Sequence, residues 1–245
     1  MMQPKIEFVT TFSNDGYLCY GQQFIDSFVE HSDFPLTIYH ESMPNVDFHK
    51  LLTWRNLDHD EERKLFIAHA KGRGLVGDAS MPNTQSVRFC HKVFALTDAA
   101  QRSEADWLIW IDADVFINGK IDAERMDRVL QDAWLVYLGR PRYHYTECGF
   151  VGYRIEKPPV QLMLEDMRRY YTSREIWTHP QDWWHDSKCF DVCRERSAVP
   201  QHHWLSLSDQ SPDPCHVWPH TILAEFSTHQ KGPRRKHDAY GSIVD

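Results

Sequence analysis

The chain has 245 residues, of which 42% are hydrophobic and 13% are aromatic. This length and composition are typical of a globular protein with one large α/β domain, and they exclude the disordered and fibrous classes. The formal net charge of −8 argues against tight, nonspecific binding to nucleic-acid phosphates, which needs many Lys and Arg side chains.

The amino-terminal residues and the cysteines indicate the cellular compartment to expect. The first residues lack the apolar stretch and the small-residue cleavage site of a signal peptide, and the sequence has no apolar run of about eighteen residues. We therefore expect a cytoplasmic protein without stable membrane insertion. No cysteines form a CxxC pair, so reduced thiols are expected; a zinc site drawn from Cys189, Cys193, Cys215 and nearby histidines is a weaker alternative.

Strand and helix patterns alternate along the first half. An apolar run at 6–11 predicts a buried strand, a helical pattern follows at 21–31, and 36–39 predicts a second strand. Strand, helix and parallel strand are the opening of a Rossmann-like sheet. Residues 41–83 contain a charged run and then a Gly-rich segment at 71–77, which predict an exposed helix followed by a flexible surface loop.

The alternation continues in the second half. Helical spacing at 86–101 precedes a continuous apolar strand at 107–111, which we expect to be buried on both faces. Further on we expect a helix at 121–130, strands at 134–138 and 149–154, and a helix that begins at Pro158. The pattern predicts an α/β fold with a mainly parallel central sheet flanked by helices.

Asp112 and Asp114 stand two residues apart at the carboxyl end of the 107–111 strand. If the extended geometry continues, both carboxylates point to the same side, and this edge of an open α/β sheet is where ligands bind. Two crowded carboxylates repel unless a cation separates them, and oxygen ligands suit Mg²⁺ or Mn²⁺. Asp is also common in turns and helix caps, so the pair alone fits a structural role as well.

Five segments, in their order along the chain, resemble the nucleotide-sugar glycosyltransferases of GT-A type, including bacterial and bacteriophage members. Residues 110–116 resemble the DxD segment, and 88–96 resemble the helix that precedes it. Residues 147–153 are similar to the strand that faces the donor sugar. Residues 185–191 stand where glycogenin-like enzymes have an Asp-Gln segment, and 229–232 resemble their carboxyl-terminal His-x-x-Gly signature.

The resemblance implies a single GT-A domain over 1–245, with a donor-binding half at about 1–120 and an acceptor-binding half at about 121–245. It implies a metal-dependent glycosyltransferase that moves a sugar from a nucleotide-diphosphate sugar, with a UDP-sugar favoured, to a hydroxyl acceptor. The metal ligands that it implies, for Mn²⁺ or Mg²⁺, are Asp112, Asp114 and His229.

The donor-binding residues that the resemblance implies come from three segments. Arg88 and Lys92 share one helical face and are expected to reach the phosphates or the donor sugar, although such residues are often simply solvated. Lys231 and Gly232, beside His229, are expected to contact the diphosphate. The base and ribose are expected near the end of the first strand, against Thr10, Thr11, Phe12 and either Tyr17 or Tyr20.

Sugar transfer needs a carboxylate near the anomeric carbon, either as a general base or as a stabiliser of the oxocarbenium-like state. Asp186 is the first candidate and Glu147 is the second. Ser187 stands where the family has Gln, so two outcomes remain open: retention, which the glycogenin-like tail favours, and inversion with Asp186 as the base. Two roles are compatible with Trp177, Trp183, Trp184, Trp204 and Trp218: an acceptor platform, or, for any one of them, filling of the core.

Several acceptors and two other functions are compatible with the sequence. The acceptor is a glycan, a lipid-linked sugar, a protein or a modified DNA base, the last kept open by the basic run at 234–236. A nucleotidyltransferase acting on a sugar phosphate is one alternative, although its Gly-rich, Lys-containing loop is missing at 10–16. A noncatalytic zinc or carbohydrate-binding module built on the carboxyl-terminal part is the other.

Overall fold

The computed structural model describes residues 3–41, 49–78, 80–81, 84–140 and 145–230. The strands are β1 (Ile6–Phe12), β2 (Leu36–His40), β3 (Leu52–Asn56), β4 (Trp107–Ile111), β5 (Val115–Ile117), β6 (Leu135–Leu138), β7 (Glu147–Tyr153), β8 (Trp204–Ser206) and β9 (Ser227–His229). The helices are α1 (Asn14–Gly16), α2 (Gln22–His31), α3 (Glu61–Arg73), α4 (Ser86–Arg102), α5 (Ala123–Leu130), α6 (Pro158–Thr172) and α7 (Asp186–Arg196). A π-helical turn joins α1 to α2.

The central sheet, as the described residues form it, has seven strands in the order β3-β2-β1-β4-β7-β6-β8. Strands β1 to β4 are mutually parallel, whereas β7 is antiparallel to both of its neighbours, β4 and β6. The carboxyl ends of β1, β2 and β4 therefore meet along one edge of the sheet. This architecture confirms the predicted α/β fold with a mainly parallel, Rossmann-like central sheet.

Strand β4 is buried on both faces, as its uninterrupted apolar sequence predicts. Leu108 and Trp110 belong to the core under α4 and α6, while Ile109 and Ile111 belong to the opposite core under α2 and α5. Side chains alternate between the faces of a strand, so only a fully apolar sequence suits this central position. The rigid strand fixes where residue 112 emerges.

The stretch 41–83 differs from the expected helix and loop. Residues 52–56 form the edge strand β3, whose side chains are half-buried or exposed and therefore carry a weak apolar signal. The charged run does lead into α3, which Asp60 caps by accepting a hydrogen bond from the amide of Arg63. The start of the Gly-rich segment is the last turn of α3, and the helix ends at Gly74 in the left-handed conformation, with φ at 68°.

A second, two-stranded sheet pairs β5 with β9 in antiparallel fashion, and Val115 lies opposite His229. Each strand has three residues, too few for a periodicity signal, and the pairing joins distant parts of the chain. This short sheet places the segment around residue 229 directly against residues 112–115. Within the described residues, no helix is long and apolar enough to cross a membrane.

Helix α6 offers a matched test of the core. Leu164 is 2% exposed and packs under the sheet, whereas Leu162, two residues earlier, is 60% exposed. We expect Leu164→Ala to lower the free energy of unfolding by about 2–5 kcal/mol, because it leaves a cavity. Leu162→Ala should change it by less than about 0.5 kcal/mol. Urea denaturation of both variants measures this, and equal losses would contradict the packing of α6.

Candidate functional site

Asp112 follows the last residue of β4 and is held in place by three neighbours. Its amide donates to the carbonyl of Gly149 at 2.9 Å, which fixes the end of β4 against β7. Its Oδ1 accepts from the indole N–H of Trp110 at 2.7 Å and from Nζ of Lys92 at 3.0 Å. The carboxylate is therefore oriented before any ligand binds.

Asp114 and His229 form a buried pair next to Asp112. Pairing of β5 with β9 brings them together, and Nε2 of the imidazole lies 3.1 Å from Oδ1 of Asp114. The carbonyl of Asp114 also accepts from the amide of Gln230 at 2.9 Å, which extends the attachment of the tail. The side chains of both residues are almost fully enclosed by protein.

These residues fit a divalent cation. Asp112, Asp114 and His229 each offer one ligand atom, and these atoms lie within 4.8 Å of one another. Two carboxylates and an imidazole suit Mn²⁺ or Mg²⁺. Nδ1 of His229 is buried and has no hydrogen-bond partner, so the described protein groups leave one ring nitrogen unused. Among the residues that the structure describes, no second group has this arrangement.

Gly149 allows the imidazole to sit this close to the sheet. A Cβ built on Gly149 would lie 2.9 Å from Cε1 and 3.3 Å from Nδ1 of His229. Real Cβ atoms do not approach that closely, so any other residue here would displace the ring. Gly149 thus leaves a gap in the side-chain layer of β7, and the imidazole of His229 occupies this gap.

The cysteines of the alternative zinc site do not form such a group among the described residues. Cys189 and Cys193 are buried in the hydrophobic core, and Cys215 is exposed. Burial raises the pKa of the Cys189 thiol well above its usual value, which opposes the thiolate that zinc requires. All six cysteines are free thiols, in agreement with the prediction from the sequence.

Lys92 connects the metal-ligand candidates to the predicted catalytic carboxylate. Its Nζ donates to Asp112 at 3.0 Å, lies 2.9 Å from Oδ2 of Asp186, and donates to the carbonyl of Cys148. An ammonium has three N–H groups, and these three oxygens use all of them. A contact between Lys92 and a donor phosphate, as expected from the sequence, would require one of these bonds to be exchanged.

Charge balance around Lys92 favours the ionised forms. Burial alone lowers the pKa of Lys92, but Asp112 and Asp186 outweigh it and raise the pKa above its usual value. Burial likewise raises the pKa of Asp112, yet Lys92, His229 and the Trp110 N–H hold it below its usual range. Both shifts favour the charged forms of Lys92 and Asp112 at neutral pH.

Asp186 is the first residue of α7 and is buried. His185 caps the helix, with Nδ1 accepting from the amide of Lys188 at 3.2 Å. A helix N-terminus favours a negative charge, so its position and the Lys92 contact both stabilise the Asp186 carboxylate. Burial lowers the pKa of His185, and Tyr145 packs on its ring at 4.6 Å.

Glu147, the second candidate carboxylate, is paired with Arg140, and both side chains are about 90% enclosed. The residue before it is fixed from α7, where Asp191 accepts from the amide and the hydroxyl of Thr146 at 2.8 and 2.6 Å. Arg194 lies 3.2 Å from the same aspartate. Glu147 is thus fixed in place by a buried polar network.

The metal-ligand candidates and the two candidate catalytic carboxylates line one cavity of about 620 Å³ at the carboxyl edge of the sheet. Its volume lies within the range of about 300–1,000 Å³ that is usual for small-molecule sites. Thr11, Phe12 and Tyr20 form one wall. The other residues predicted from the sequence that line it are Arg88, Lys92, Asp112, Asp114, Glu147, Asp186 and His229.

Some predicted residues are not brought to this cavity. Thr10 is completely buried and is not among the lining residues. Lys231 and Gly232 lie outside the described residues. None of the five Trp residues expected as an acceptor platform lines the described part of the cavity, and Trp177 instead stacks on Phe66 at 4.5 Å.

Comparison with known proteins does not identify a family for this chain. No family model matches the chain, and no curated protein matches it.

The structure adds lining residues that the sequence did not indicate. Arg140 and Tyr145 belong to one wall, and Glu41 and His91 to another. Nδ1 of His91 accepts from Nε of Arg63 at 3.1 Å, and burial, followed by the charge of Arg63, lowers the pKa of His91 to about 3. His91 lies in the helical pattern after Phe89 and Cys90. The only sequence signal that could have indicated it is its position one residue before Lys92.

Removing the ammonium of Lys92 should be costly. Lys92→Met leaves Asp186 buried without its counter-ion, and we expect a loss of about 3–5 kcal/mol in the free energy of unfolding. The control Lys120→Met removes an exposed ammonium paired with Asp122 at 3.6 Å, and it should cost less than about 1 kcal/mol. Urea denaturation with EDTA present compares them. Combining Lys92→Met with Asp186→Asn should cost less than the sum of the two single losses.

Metal binding tests the Asp112, Asp114 and His229 group directly. Calorimetric titration of the EDTA-treated protein with Mn²⁺ should show binding, and Asp114→Asn should weaken it by more than about tenfold, because even residues behind a metal ligand contribute that much. The control Asp132→Asn makes the same change at an exposed position and should leave the affinity unchanged. Equal affinities for the two variants would rule out Asp114 as a ligand.

Proposed function

We propose that the protein is a metal-dependent glycosyltransferase that moves a sugar from a nucleotide-diphosphate sugar, with a UDP-sugar favoured, to a hydroxyl acceptor. The observation that carries this proposal is the convergence of Asp112, Asp114 and His229 on one cavity at the carboxyl edge of a Rossmann-like sheet. Ligands of open α/β sheets bind at this edge. The ordered resemblance of the sequence to GT-A enzymes supports the same assignment.

The donor is proposed to lie along the edge from β1 to β4. Thr11, Phe12 and Tyr20 supply the wall for the base and ribose, and Phe12 is backed by Tyr17 at 5.6 Å between ring centroids. Arg88 is exposed on the cavity side of α4 and has the charge to contact a diphosphate. The diphosphate is then placed next to Asp112 and Asp114.

A bound Mn²⁺ or Mg²⁺ would stabilise the negative charge that develops on the departing nucleotide diphosphate. The protein's part is to keep the ligand atoms in position. Asp114 is fixed by the β5–β9 pairing, and Asp112 by the Trp110 N–H and Lys92. These contacts exist without a ligand, so little reorganisation is needed when the donor binds.

Asp186 is the carboxylate that we assign to the transfer step. The Lys92 ammonium joins it to Asp112, which keeps it beside the metal-ligand candidates. If the transfer is a single displacement, Asp186 accepts the acceptor hydroxyl's proton. The acceptor oxygen then forms the new bond to the anomeric carbon, and the nucleotide diphosphate leaves with the electron pair. In a retaining course the same carboxylate lies beside the oxocarbenium-like centre.

We assign the acceptor to the part of the cavity lined by Arg140, Tyr145 and Ser187. Arg140 lies over the ring of Tyr145 at 5.7 Å, and that ring in turn packs on His185, the residue before Asp186. These groups offer hydrogen-bond donors and a flat apolar surface, which suit a hydroxylated acceptor. Glu147 is engaged by Arg140, so it is assigned to shaping this wall.

Donor binding and turnover test the proposal. In a thermal-shift panel of nucleotide sugars with and without Mn²⁺, a UDP-sugar is expected to raise the melting temperature only when Mn²⁺ is present. Slow release of UDP should accompany binding, and Asp114→Asn should reduce kcat by about 10²-fold or more. Asp132→Asn again serves as the control. Failure of every nucleotide sugar both to bind and to turn over would refute the proposal.

Two further variants separate the carboxylates. Asp186→Asn should lower kcat by about 10²–10⁴-fold while leaving donor affinity nearly unchanged, because the transfer step loses its base or stabiliser. Glu147→Gln should act mainly on the KM for the acceptor. If Glu147→Gln abolishes kcat and Asp186→Asn does not, the two assignments must be exchanged.

A further inference from the structure

A second cavity, of about 440 Å³, lies beside the edge strand of the sheet and shares no described lining residue with the main cavity. It is bounded by the ends of β2 and β3, by the turn that follows β3, and by the last turns of α4. Its lining residues are Tyr39, His40, Trp54, Arg55, Asn56, Leu57, His59, Asp60, Asp98 and Arg102.

Arg55 is the cation of this cavity that has no directly bonded partner among the described residues. It is half-buried on β3, and it makes no hydrogen bond or ion pair with any residue that the structure describes. A guanidinium has five N–H donors, and a half-buried one normally has a carboxylate or carbonyl partner. Its position in register with Tyr39 places it on a rigid strand.

The acidic residues of the lining are already paired. Oδ2 of Asp98 accepts from the hydroxyl of Tyr39 at 2.6 Å and from Nε of Arg102 at 2.8 Å. Burial raises the pKa of Asp98, but the hydrogen bonds from Arg102 and Tyr39 outweigh it and lower the pKa. Asp60 is bound by Arg168, which lies outside the lining, at 2.7 Å. Asp98 also attracts the Arg55 charge through space, but among the described residues no carboxylate of the lining forms a direct ion pair with Arg55.

The spare hydrogen-bonding groups include further donors. Arg102 uses only Nε within the described residues, so its two terminal nitrogens make no bond there. Asn56 uses its side-chain oxygen to cap the turn, accepting from the amide of Asp58 at 2.8 Å, while its NH₂ donates to no described group. The buried indole N–H of Trp54 is also without a partner. Such a lining suits a negatively charged ligand with several hydrogen-bond acceptors.

We propose that this cavity binds a small phosphorylated molecule whose phosphate lies on Arg55, with Arg102 and Asn56 donating to its other oxygens. A phosphate monoester offers three terminal oxygens and close to two negative charges, which matches several separate donors better than a single carboxylate does. The volume exceeds that of the phosphate alone, so the body of the ligand occupies the remainder. The site is independent of the proposed glycosyl transfer.

Calorimetric titration with glucose 6-phosphate, at low ionic strength and with EDTA but no nucleotide, tests this site. The wild-type protein should bind it, and Arg55→Gln should weaken binding by at least about tenfold, because it removes charge-assisted hydrogen bonds. The control Arg73→Gln makes the same charge change at an exposed position at the end of α3 and should bind normally. Glucuronate, which replaces the phosphate by a carboxylate, should bind at least about tenfold more weakly.

A second variant protects the test against misfolding. Asn56→Asp keeps the oxygen that caps the turn and adds a negative charge, so the fold should be retained while glucose 6-phosphate is repelled. Absence of wild-type binding would overturn the proposal, as would equal binding by Arg55→Gln and Arg73→Gln. Equal affinity for glucuronate would overturn the assignment to phosphate. None of these results depends on Mn²⁺ or on a nucleotide sugar.

Discussion

Repulsion among carboxylates at the end of β4 is the constraint on which the site depends. Asp112, Asp114 and Asp186 face one cavity, and such a concentration of negative charge is unstable without cations. Lys92 offsets two of the three through a single ammonium, which links residues of α4 and α7 to the end of β4. A divalent cation between Asp112 and Asp114 would complete the balance.

The same constraint explains why several elements supply one residue each. Strand β4 is buried along its whole length and presents Asp112 at its carboxyl end. Helix α4 delivers Lys92 from one side, α7 delivers Asp186 at its N-terminus, and β9 delivers His229 into the gap over Gly149. Asp112 and Asp114 lie in the turn between β4 and β5, whereas the other three residues belong to packed helices and strands, so the flanking strands and the core hold the group in place.

The sequence predicted the parts of this arrangement that rest on local pattern. The apolar strand at 107–111, the helix carrying Lys92 and the position of Asp112 at a strand end all follow from periodicity within one window. The β5–β9 pairing does not, because three-residue strands have no measurable period and their partners are remote in sequence. The direction of a strand also leaves no trace in its sequence pattern. Neither the antiparallel direction of β7 nor the Arg140–Glu147 pair could therefore be predicted from a short window of sequence.

The short β9 strand makes the metal-ligand group depend on a long-range contact. Contact between Asp114 and His229 closes a loop across 115 positions, so its formation carries the entropy cost of a long loop. Three strand residues are also the easiest part of such a fold to open locally while the main sheet stays intact. A cation held there would oppose that opening, and the amide hydrogens of β5 and β9 would exchange more slowly than in the metal-free protein. The ion would thus stabilise the attachment of β9 to β5.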